Sequence, residues 1–371
     1  MDGADDHRPV AATLPVVSDL AHPLLPRSVP LLADATGAVQ VGGVDTADGL
    51  RVLPGDRRLH DLLRGLDGRR TQRTVVADAA RTGLPPAAVR SLLDGLRSAG
   101  LLLDVDPAEL LAADAGSAAH ARTAAELPAA LAGSGAGWRS RRSAVVLVEG
   151  ATRVGTPLAA VLAASGIGRV AVQDTGVTAA ADAVVGGLTA TDEGRPRSLA
   201  AADAVRRASP LTDLRPLPHG AGADVVVLAR PWAASDPLVA GLQRAGVPHL
   251  VATVRGQTGV VGPFVVPGST SCLRCADLHR RDADPRWPAF AAQLTAGEAP
   301  PSGATVTCLL TAVTATVQVL AFLDGVSAPA AVEATLEFCP PELVPRVRRW
   351  PAHRGCGCGA LSDDEIGRAH V

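Results

Sequence analysis

The sequence predicts an α/β protein whose central domain is a doubly wound parallel sheet, and two observations carry this prediction. From Ser143 to about Val266, short Val/Leu-rich runs alternate with amphipathic helical segments. The first of these units, SAVVLVEGATRVGTPLAAVLAASGIGRVAVQD, is ordered strand, glycine turn, helix, strand, and it ends at the acidic residue Asp174. That order is typical of a nucleotide-binding βαβ unit. Two close pairs of cysteines follow the sheet region.

Composition limits the classes of function. The chain has 371 residues, 47% of them hydrophobic, and a formal net charge of −2. It is therefore long enough for two or three domains and does not, as a whole, favour binding to polyanions. Aromatic residues make up only 2% of the chain, so base-stacking surfaces are not expected. Lysine is absent, which excludes lysine contacts to phosphate and Schiff-base chemistry.

The terminal and apolar segments indicate a cytoplasmic protein with no membrane partner. The N-terminal residues MDGADDHRPV are acidic and lack the apolar stretch of a secretory signal. The longest apolar run, Thr307–Leu323, is short for a membrane span and contains several threonines, so we predict a buried helix. The tail EIGRAHV matches a back-translated sequencing-library adapter, and residues 366–371 are therefore expected to be an assembly artefact.

Residues 1–105 predict a small N-terminal domain of the winged-helix type. Two short strands are expected on either side of Thr36–Gly37, then three helices, then the strand LLLDV as a wing. Ten Arg and six Asp between Gly49 and Val105 give this region a mild positive charge. Three interpretations stay open: a solvated surface, contact with DNA, or a peptide docked by strand addition or in the helix groove.

Residues 106–142 predict a linker, because they are rich in Ala, Gly and Ser. We expect its closing arginines, Arg139, Arg141 and Arg142, to be solvated. The sheet domain is then predicted to occupy residues 143–365.

The turn EGATRVG raises the question of whether the sheet domain holds a nucleotide. Gly150 and Gly155 are the first and last glycines expected in such a loop, but Thr152 and Arg153 stand where smaller residues are usual. Asp174 is the candidate ligand for ribose hydroxyls, or alternatively a cap for a neighbouring helix.

The cysteines predict a structural zinc site. Cys272 and Cys275 form one pair and Cys356 and Cys358 the other, and two such pairs can complete a tetrahedral thiolate site. A redox pair and a vestigial site are the alternatives. We expect Cys308 and Cys339 to be small buried apolar residues.

These motifs, in this order, resemble the ThiF/MoeB-like superfamily, which includes the ubiquitin-activating enzymes. The most specific stretch is GVPHLVATVRGQTGVVGPFVVPGSTSCLRC, which resembles the strand pair that leads into the first zinc-binding cysteine pair of that family. The resemblance runs from Ser143 to Cys358. It implies a Rossmann-like sheet with a C-terminal zinc arm, a dimer, and a site where ATP adenylates the C-terminal carboxylate of a peptide or small protein.

The sequence departs from that family at the ATP-handling positions. Asp182 and Val185 stand where the family has Asn and Arg, and Arg197 stands where it has Lys. No Asp or Asn occurs from Leu228 to Pro231, where the magnesium-binding acid is expected. These changes predict an eroded ATP site. The alternative is that Arg153 and Arg197 bind the phosphates themselves.

Degenerate members of the superfamily carry an N-terminal winged helix and act with azoline-forming cyclodehydratases on modified peptides. The layout here is similar, and it implies a scaffold that binds a precursor peptide or small protein for a partner modifying enzyme. An active adenylyltransferase and a winged-helix DNA-binding regulator are the alternatives, although a nucleic-acid partner is not expected. We interpret His279, Arg280 and Arg281 as a solvated basic face, or otherwise as part of a peptide groove. Trp287 and Trp350 are expected to brace the zinc arm.

Overall fold

The structure is a computed structural model, and it describes residues 19–33, 38–43, 49–52, 57–106, 126, 130, 137–217, 222–232, 236–296, 303–325, 327–342 and 344–360. The chain divides into two compact units, Met1–Leu111 and Ala112–Val371. The predicted artefact at residues 366–371 and most of the predicted linker lie outside the described residues.

Among the residues that the structure describes, the first unit contains three helices and five short strands. The helices are α1 (Arg57–Arg64), α2 (Gln72–Arg81) and α3 (Pro86–Ser98). The strands are β1 (Pro23–Leu24), β2 (Leu31–Ala33), β3 (Val39–Val41), β4 (Leu50–Val52) and β5 (Leu103–Asp104). Strands β2, β3 and β4 form an antiparallel sheet that precedes the helices, and β5 pairs with β1.

Local sequence signals explain the three helices. The Thr71 hydroxyl accepts from the Thr74 amide and caps α2, and Pro86 opens α3, where its missing N–H costs nothing. Their apolar faces bury Leu63, Leu93 and Leu96 in one core. The three predicted helices are therefore confirmed. The predicted wing is not confirmed, because β5 is only two residues long and pairs with β1.

Among the residues that the structure describes, the second unit contains seven strands, seven α-helices and two short 3₁₀ helices, Ala180–Asp182 and Ala190–Asp192. The strands are β6 (Val145–Glu149), β7 (Arg169–Gln173), β8 (Val225–Leu228), β9 (His249–Arg255), β10 (Thr258–Val265), β11 (Ala334–Phe338) and β12 (Arg346–Arg349). The helices are α4 (Gly137–Ser143), α5 (Gly155–Ala164), α6 (Arg197–Ala208), α7 (Pro237–Ala245), α8 (Leu273–Ala283), α9 (Trp287–Ala296) and α10 (Thr305–Asp324).

The seven strands form one mixed sheet in the order β12-β11-β10-β9-β8-β6-β7. Strands β7, β6, β8 and β9 are parallel, as predicted, and their Val/Leu-rich residues are buried. From β9 to β12 the pairing is antiparallel, so the sheet is not wholly parallel as the strand–helix alternation predicts. The carboxyl ends of β6, β7 and β8 lie at one edge, where α/β sheets place their ligands.

Helix α10 packs one of its faces into the second unit. It packs against α5, β9 and β10, and buries Cys308, Ala312 and Val319. It is the one helix among the described residues that is long and apolar enough to cross a membrane, a test that core helices also pass. The prediction of a buried helix therefore holds for one face only, since Val306, Val313 and Val317 are exposed.

Helix α4 corrects the prediction of a solvated arginine run. Gly137–Ser143 is helical and packs against α10. The Arg141 side chain is only 4% exposed and makes a bidentate ion pair with Asp324, with Nε to Oδ1 at 2.8 Å and Nη2 to Oδ2 at 2.6 Å. The guanidinium also donates to the Ser165 carbonyl. Arg141 is therefore a buried anchor, whereas Arg139 is exposed.

Candidate functional site

The loop between β6 and α5 requires glycine at both of its predicted positions. Gly150 has φ +110°, a conformation that L side chains rarely adopt. At Gly155, a Cβ would lie 2.0 Å from the Gly150 carbonyl oxygen and 2.8 Å from the Ala229 Cβ. Both glycines thus permit close contact between the loop, the helix and the end of β8. This packing alone explains them, with or without a nucleotide.

Thr152 fills the start of α5. Its hydroxyl accepts from the Gly155 amide at 3.0 Å and the Val154 amide at 3.3 Å, and donates to the Ala229 carbonyl at 2.8 Å. The residue is 4% exposed. Amides at a helix N-terminus are the groups that would otherwise meet a phosphate. In this chain, a side-chain oxygen already satisfies two of them.

Replacing Thr152 with Val is expected to lower the free energy of unfolding by about 1–3 kcal/mol, because two helix amides and one buried carbonyl lose their partner. Urea unfolding followed by circular dichroism measures the loss. Thr258→Val is the matched control, since Thr258 begins β10 and valine suits a strand. Equal stabilities for the two variants would contradict a capping role for Thr152.

Arg153 points away from the loop toward the start of α10. Its Nη1 donates to the Gly303 carbonyl at 2.7 Å and its Nη2 to the Thr305 hydroxyl at 2.9 Å. Its Nε is buried and has no hydrogen-bond partner. The side chain therefore ties the loop to α10, and Nε is left without a partner among the described residues.

Asp174 follows β7 and holds two main-chain segments. Its Oδ2 accepts from the Ala151 amide at 2.8 Å and its Oδ1 from the Gly176 amide at 2.7 Å. The carboxylate thus fixes the glycine loop against the β7 turn. This position is compatible with a ribose ligand, and it also gives Asp174 a structural role that needs no ligand.

Arg197 lies beside Asp174 but is neutralised by another acid. A Cβ on Gly176 would lie 3.1 Å from both the Arg197 Nη1 and the Asp174 Oδ1, which places both side chains next to that glycine. The Arg197 Nη2 donates to Asp182 Oδ2 at 2.9 Å, and Nε donates to the same oxygen at 3.2 Å. Asp182 is fully buried and its Oδ1 has no partner.

The position expected to hold a metal-binding acid carries a cation instead. Arg230 follows β8 and its Nη2 contacts Asp236 Oδ2 at 3.1 Å, while Asp236 Oδ1 caps α7 at the Leu238 amide. Burial raises the pKa of the Glu149 carboxyl at the end of β6, and the charge of Arg230 opposes that rise. Arg230 is visible in the sequence at the position of the missing acid, whereas the burial of Glu149 and its proximity to Arg230 are not.

The four predicted zinc ligands lie together. Their sulfur atoms are all within 4.8 Å of one another, with Cys272–Cys356 at 3.5 Å, Cys275–Cys358 at 3.6 Å and Cys272–Cys275 at 3.9 Å. A tetrahedral zinc site with Zn–S bonds of about 2.3 Å places its sulfurs about 3.8 Å apart. The cluster could therefore hold a metal ion, and its donor set and spacing suit zinc.

Hydrogen bonds between thiols polarise the cluster in favour of one thiolate. The Cys272 thiol donates to the Cys275 sulfur, which lowers the pKa of Cys275 to about 4 and raises the pKa of Cys272. The His353 amide also donates to the Cys275 sulfur, at 3.4 Å. Burial raises the pKa of Cys356 to about 11. Metal binding at neutral pH would therefore displace protons from the cluster.

The other two cysteines lie outside the cluster. Cys308 is buried in α10, as predicted, and burial raises the pKa of its thiol. Cys339 is exposed, which corrects the prediction that it is buried, because it follows β11 at the surface turn formed with two prolines.

The comparisons with known proteins agree on the fold. A sequence model described as the ThiF family matches residues 129–358. No curated protein sequence matches the chain. Among solved structures, the microcin C7 biosynthetic enzyme MccB in complex with N-formylated MccA has a TM-score of 0.60 at 16% identity, over 91% of this chain and 99% of that chain.

Two further structures extend this similarity. E. coli MccB with ATP has a TM-score of 0.59 at 14% identity, over 91% of this chain and 99% of that chain. A structure of PaaA has a TM-score of 0.54 at 15% identity, over 88% of this chain and 99% of that chain. At these identities the similarity establishes the fold.

Proposed function

This chain belongs to the ThiF family, and from that premise we propose that it is a member without adenylating activity that binds a peptide or small protein as a scaffold for a partner modifying enzyme. The observation that carries the proposal is the internal neutralisation of the nucleotide loop. The amide and guanidinium groups that would contact a phosphate already form hydrogen bonds within the protein, and an arginine stands where a metal-binding acid is expected.

Three contacts support the loss of ATP chemistry. The Thr152 hydroxyl takes the first amides of α5, and Arg197 is paired with Asp182. Arg230 lies where the magnesium-binding acid is expected, so its charge would repel a divalent cation. Adenylation depends on preorganised charge around the phosphates, and removing one such donor typically costs about two to three orders of magnitude in rate. The combined loss leaves a pocket without the means to stabilise the transition state.

Peptide binding is supported by the whole-chain similarity to MccB, whose structure with N-formylated MccA is a complex. In the first unit, β4 forms an edge of the three-stranded sheet and contacts α3. A peptide can add to such an edge as a further strand. We therefore propose that the ligand is a precursor peptide, and that the protein works in the cytoplasm, as a homodimer, beside its modifying enzyme.

Zinc is the metal that we propose for the cysteine cluster. Cys272, Cys275, Cys356 and Cys358 would hold it as four thiolate ligands, which leaves no open coordination position for catalysis. The metal would stabilise the C-terminal arm against α8. The His353 ring supports the same arm, since its Nε2 lies 2.8 Å from Asp282 Oδ2 and its Nδ1 accepts from the Gly355 amide.

An active adenylyltransferase is the second candidate, and two unpartnered atoms favour it. The buried Nε of Arg153 and Oδ1 of Asp182 have no hydrogen-bond partner among the described residues. A bound nucleotide with its water shell could satisfy both. On this alternative, Arg153 and Arg197 would neutralise the phosphates, and Asp174 would hold the ribose.

ATP–pyrophosphate exchange distinguishes the two candidates. We expect the purified full chain to show no exchange above background with ATP, Mg²⁺ and radiolabelled pyrophosphate, and no saturable heat with ATP–Mg²⁺ in titration calorimetry. Exchange that disappears in Asp174→Ala and persists in Asp284→Ala would overturn the scaffold proposal. Asp284 is a suitable control because it lies in another part of the second unit and pairs with the exposed Arg286.

A further inference from the structure

One end of the mixed sheet carries four arginines and a buried tryptophan. We call this group the arginine–tryptophan patch, and it consists of Arg255, Arg280, Arg346, Arg348 and Trp350. In the β11–β12 register, Arg346 lies opposite Glu337 and Arg348 opposite Thr335. Strand alternation places the side chains of Arg346 and Arg348 on the same face of the sheet.

Trp350 holds two of these guanidinium groups in place. The Arg280 and Arg348 Cζ atoms lie 4.3 Å and 4.4 Å from the centroid of its ring. Trp350 is 3% exposed, and its Nε1 donates to the Thr335 hydroxyl at 3.2 Å. Stacking fixes the orientation of an arginine while its N–H donors stay free for a planar anion.

Arg280 corrects the expectation of a solvated basic face. It is only 7% exposed, and Trp287 also covers it, with 5.1 Å between the guanidinium and the ring. Its Nη1 donates to Asp277 Oδ1 at 3.0 Å. Burial, followed by the charge of Arg255, lowers the pKa of Arg280 to about 10. The charge of Asp277 opposes this lowering.

The remaining arginines of the patch have no close ion pair, although Asp277 and Glu337 act on Arg255 through space and oppose the lowering of its pKa by burial. Arg255, Arg346 and Arg348 form no ion pair with any carboxylate in the described part of the chain. Glu337 lies on the same face but makes no ion pair there either. All three arginines are exposed. With four arginines against Asp277 and Glu337, the patch thus presents a net positive charge to solvent.

The patch also adjoins a free sheet edge. β12 is the last strand of the seven-stranded sheet, and all four of its residues are exposed. Within the described ranges, no strand pairs with its outer side. An exposed edge offers unpaired N–H and C=O groups that an extended peptide can bind.

We propose that the arginine–tryptophan patch and the outer edge of β12 bind an acidic, extended peptide segment as an added strand, with carboxylates at alternate positions against Arg346 and Arg348. The inference deepens the proposed peptide-binding function and rests on it. It assigns to the second unit a docking site separate from the nucleotide loop, and it predicts a charge pattern in the ligand.

The spacing favours a peptide over other polyanions. Arg346 and Arg348 are two residues apart in a strand, so their side chains emerge about 6.6 Å apart on one face. Acidic residues at alternate positions of a paired strand repeat at the same distance. Val347 emerges on the opposite face, where an intervening apolar residue of the ligand would lie.

Fluorescence anisotropy with the full chain tests the proposal. The probe is a labelled peptide of roughly eight residues with Glu alternating with Val or Thr. We expect saturable, salt-sensitive binding, which Arg346→Gln/Arg348→Gln weakens by about tenfold or more. Arg349→Gln removes the same type of charge from the same strand, but its side chain lies on the opposite face, so it should change the Kd by less than about twofold.

Two altered peptides test the mode of binding. Replacing Glu with Gln should abolish binding, and N-methylation of alternate amides, which blocks strand pairing, should weaken it by about tenfold. Equal binding of the Glu and Gln peptides would overturn the proposal, as would an equal effect of Arg349→Gln. Competition by a short single-stranded oligonucleotide at similar concentrations would show a general polyanion surface instead.

The outcome is separable from that of the scaffold proposal. A chain that catalyses pyrophosphate exchange and still binds the alternating peptide through β12 would refute the absence of adenylation and leave the docking site intact. A chain that shows no exchange activity and does not bind the alternating peptide would refute the docking site and leave the absence of adenylation intact.

Discussion

Replacing Cys275 with alanine is expected to remove bound zinc and to lower the free energy of unfolding of the second unit by more than about 4 kcal/mol. The cluster links α8 to Cys358, which lies 83 residues further along the chain. Structural zinc sites contribute their binding free energy to folding. Plasma mass spectrometry of the purified protein measures zinc content, and urea unfolding followed by tryptophan fluorescence measures stability.

The chain offers a matched control for this experiment. Cys339 is an exposed cysteine outside the cluster. Cys339→Ala should retain one zinc per chain and change stability by less than about 0.5 kcal/mol. A wild-type protein without metal that forms a reversible Cys272–Cys275 disulfide under mild oxidation would instead support the redox alternative.

The core of the sheet domain could be predicted because its signals are local. Each buried parallel strand is a short Val/Leu-rich run, and glycines mark the turns between strand and helix. The spacing of the cysteines identified four ligands that the fold then brings together. These features depend on neighbours in sequence, which is the information that one sequence contains.

The antiparallel half of the sheet had a local signal that the sequence analysis did not use. β9 ends at Arg255 and β10 begins at Thr258, so only Gly256 and Gln257 lie between them. A two-residue loop with glycine between two apolar runs is a strong hairpin signal, and Gly256 has the positive φ that such turns require. The resemblance to a strand pair identified the segment, but the strand–helix alternation predicted a parallel sheet.

The charged residues that the sequence analysis placed in solvent could not be placed correctly, because their partners are distant. Arg141 pairs with Asp324, 183 residues away, and Arg280 stacks on Trp350. An arginine in a basic run looks the same in sequence whether it is solvated or paired. Thr152 differs, since a small hydroxyl residue just before a helix is itself a capping signal.

Helix α10 connects these observations, because both of its ends are held by arginines. At its N-terminal end, Arg153 of the nucleotide loop donates to the Gly303 carbonyl and the Thr305 hydroxyl. At its C-terminal end, Arg141 of α4 pairs with Asp324. A cation at a helix C-terminus also interacts favourably with the helix dipole. The position of the loop thus depends on a helix that a buried ion pair anchors.

Arg141→Met is therefore expected to lower the free energy of unfolding by about 3–5 kcal/mol, because it leaves the Asp324 carboxylate buried without its partner. Asp324→Leu should destabilise by a similar amount, and the double variant should cost clearly less than the two single changes together. Urea unfolding of the four proteins completes the cycle. Arg139→Met, an exposed arginine of the same helix, is the control and should stay within about 0.5 kcal/mol of the wild type. Strictly additive losses would show that the two side chains stabilise the fold independently, and the anchoring of α10 by this pair would then be wrong.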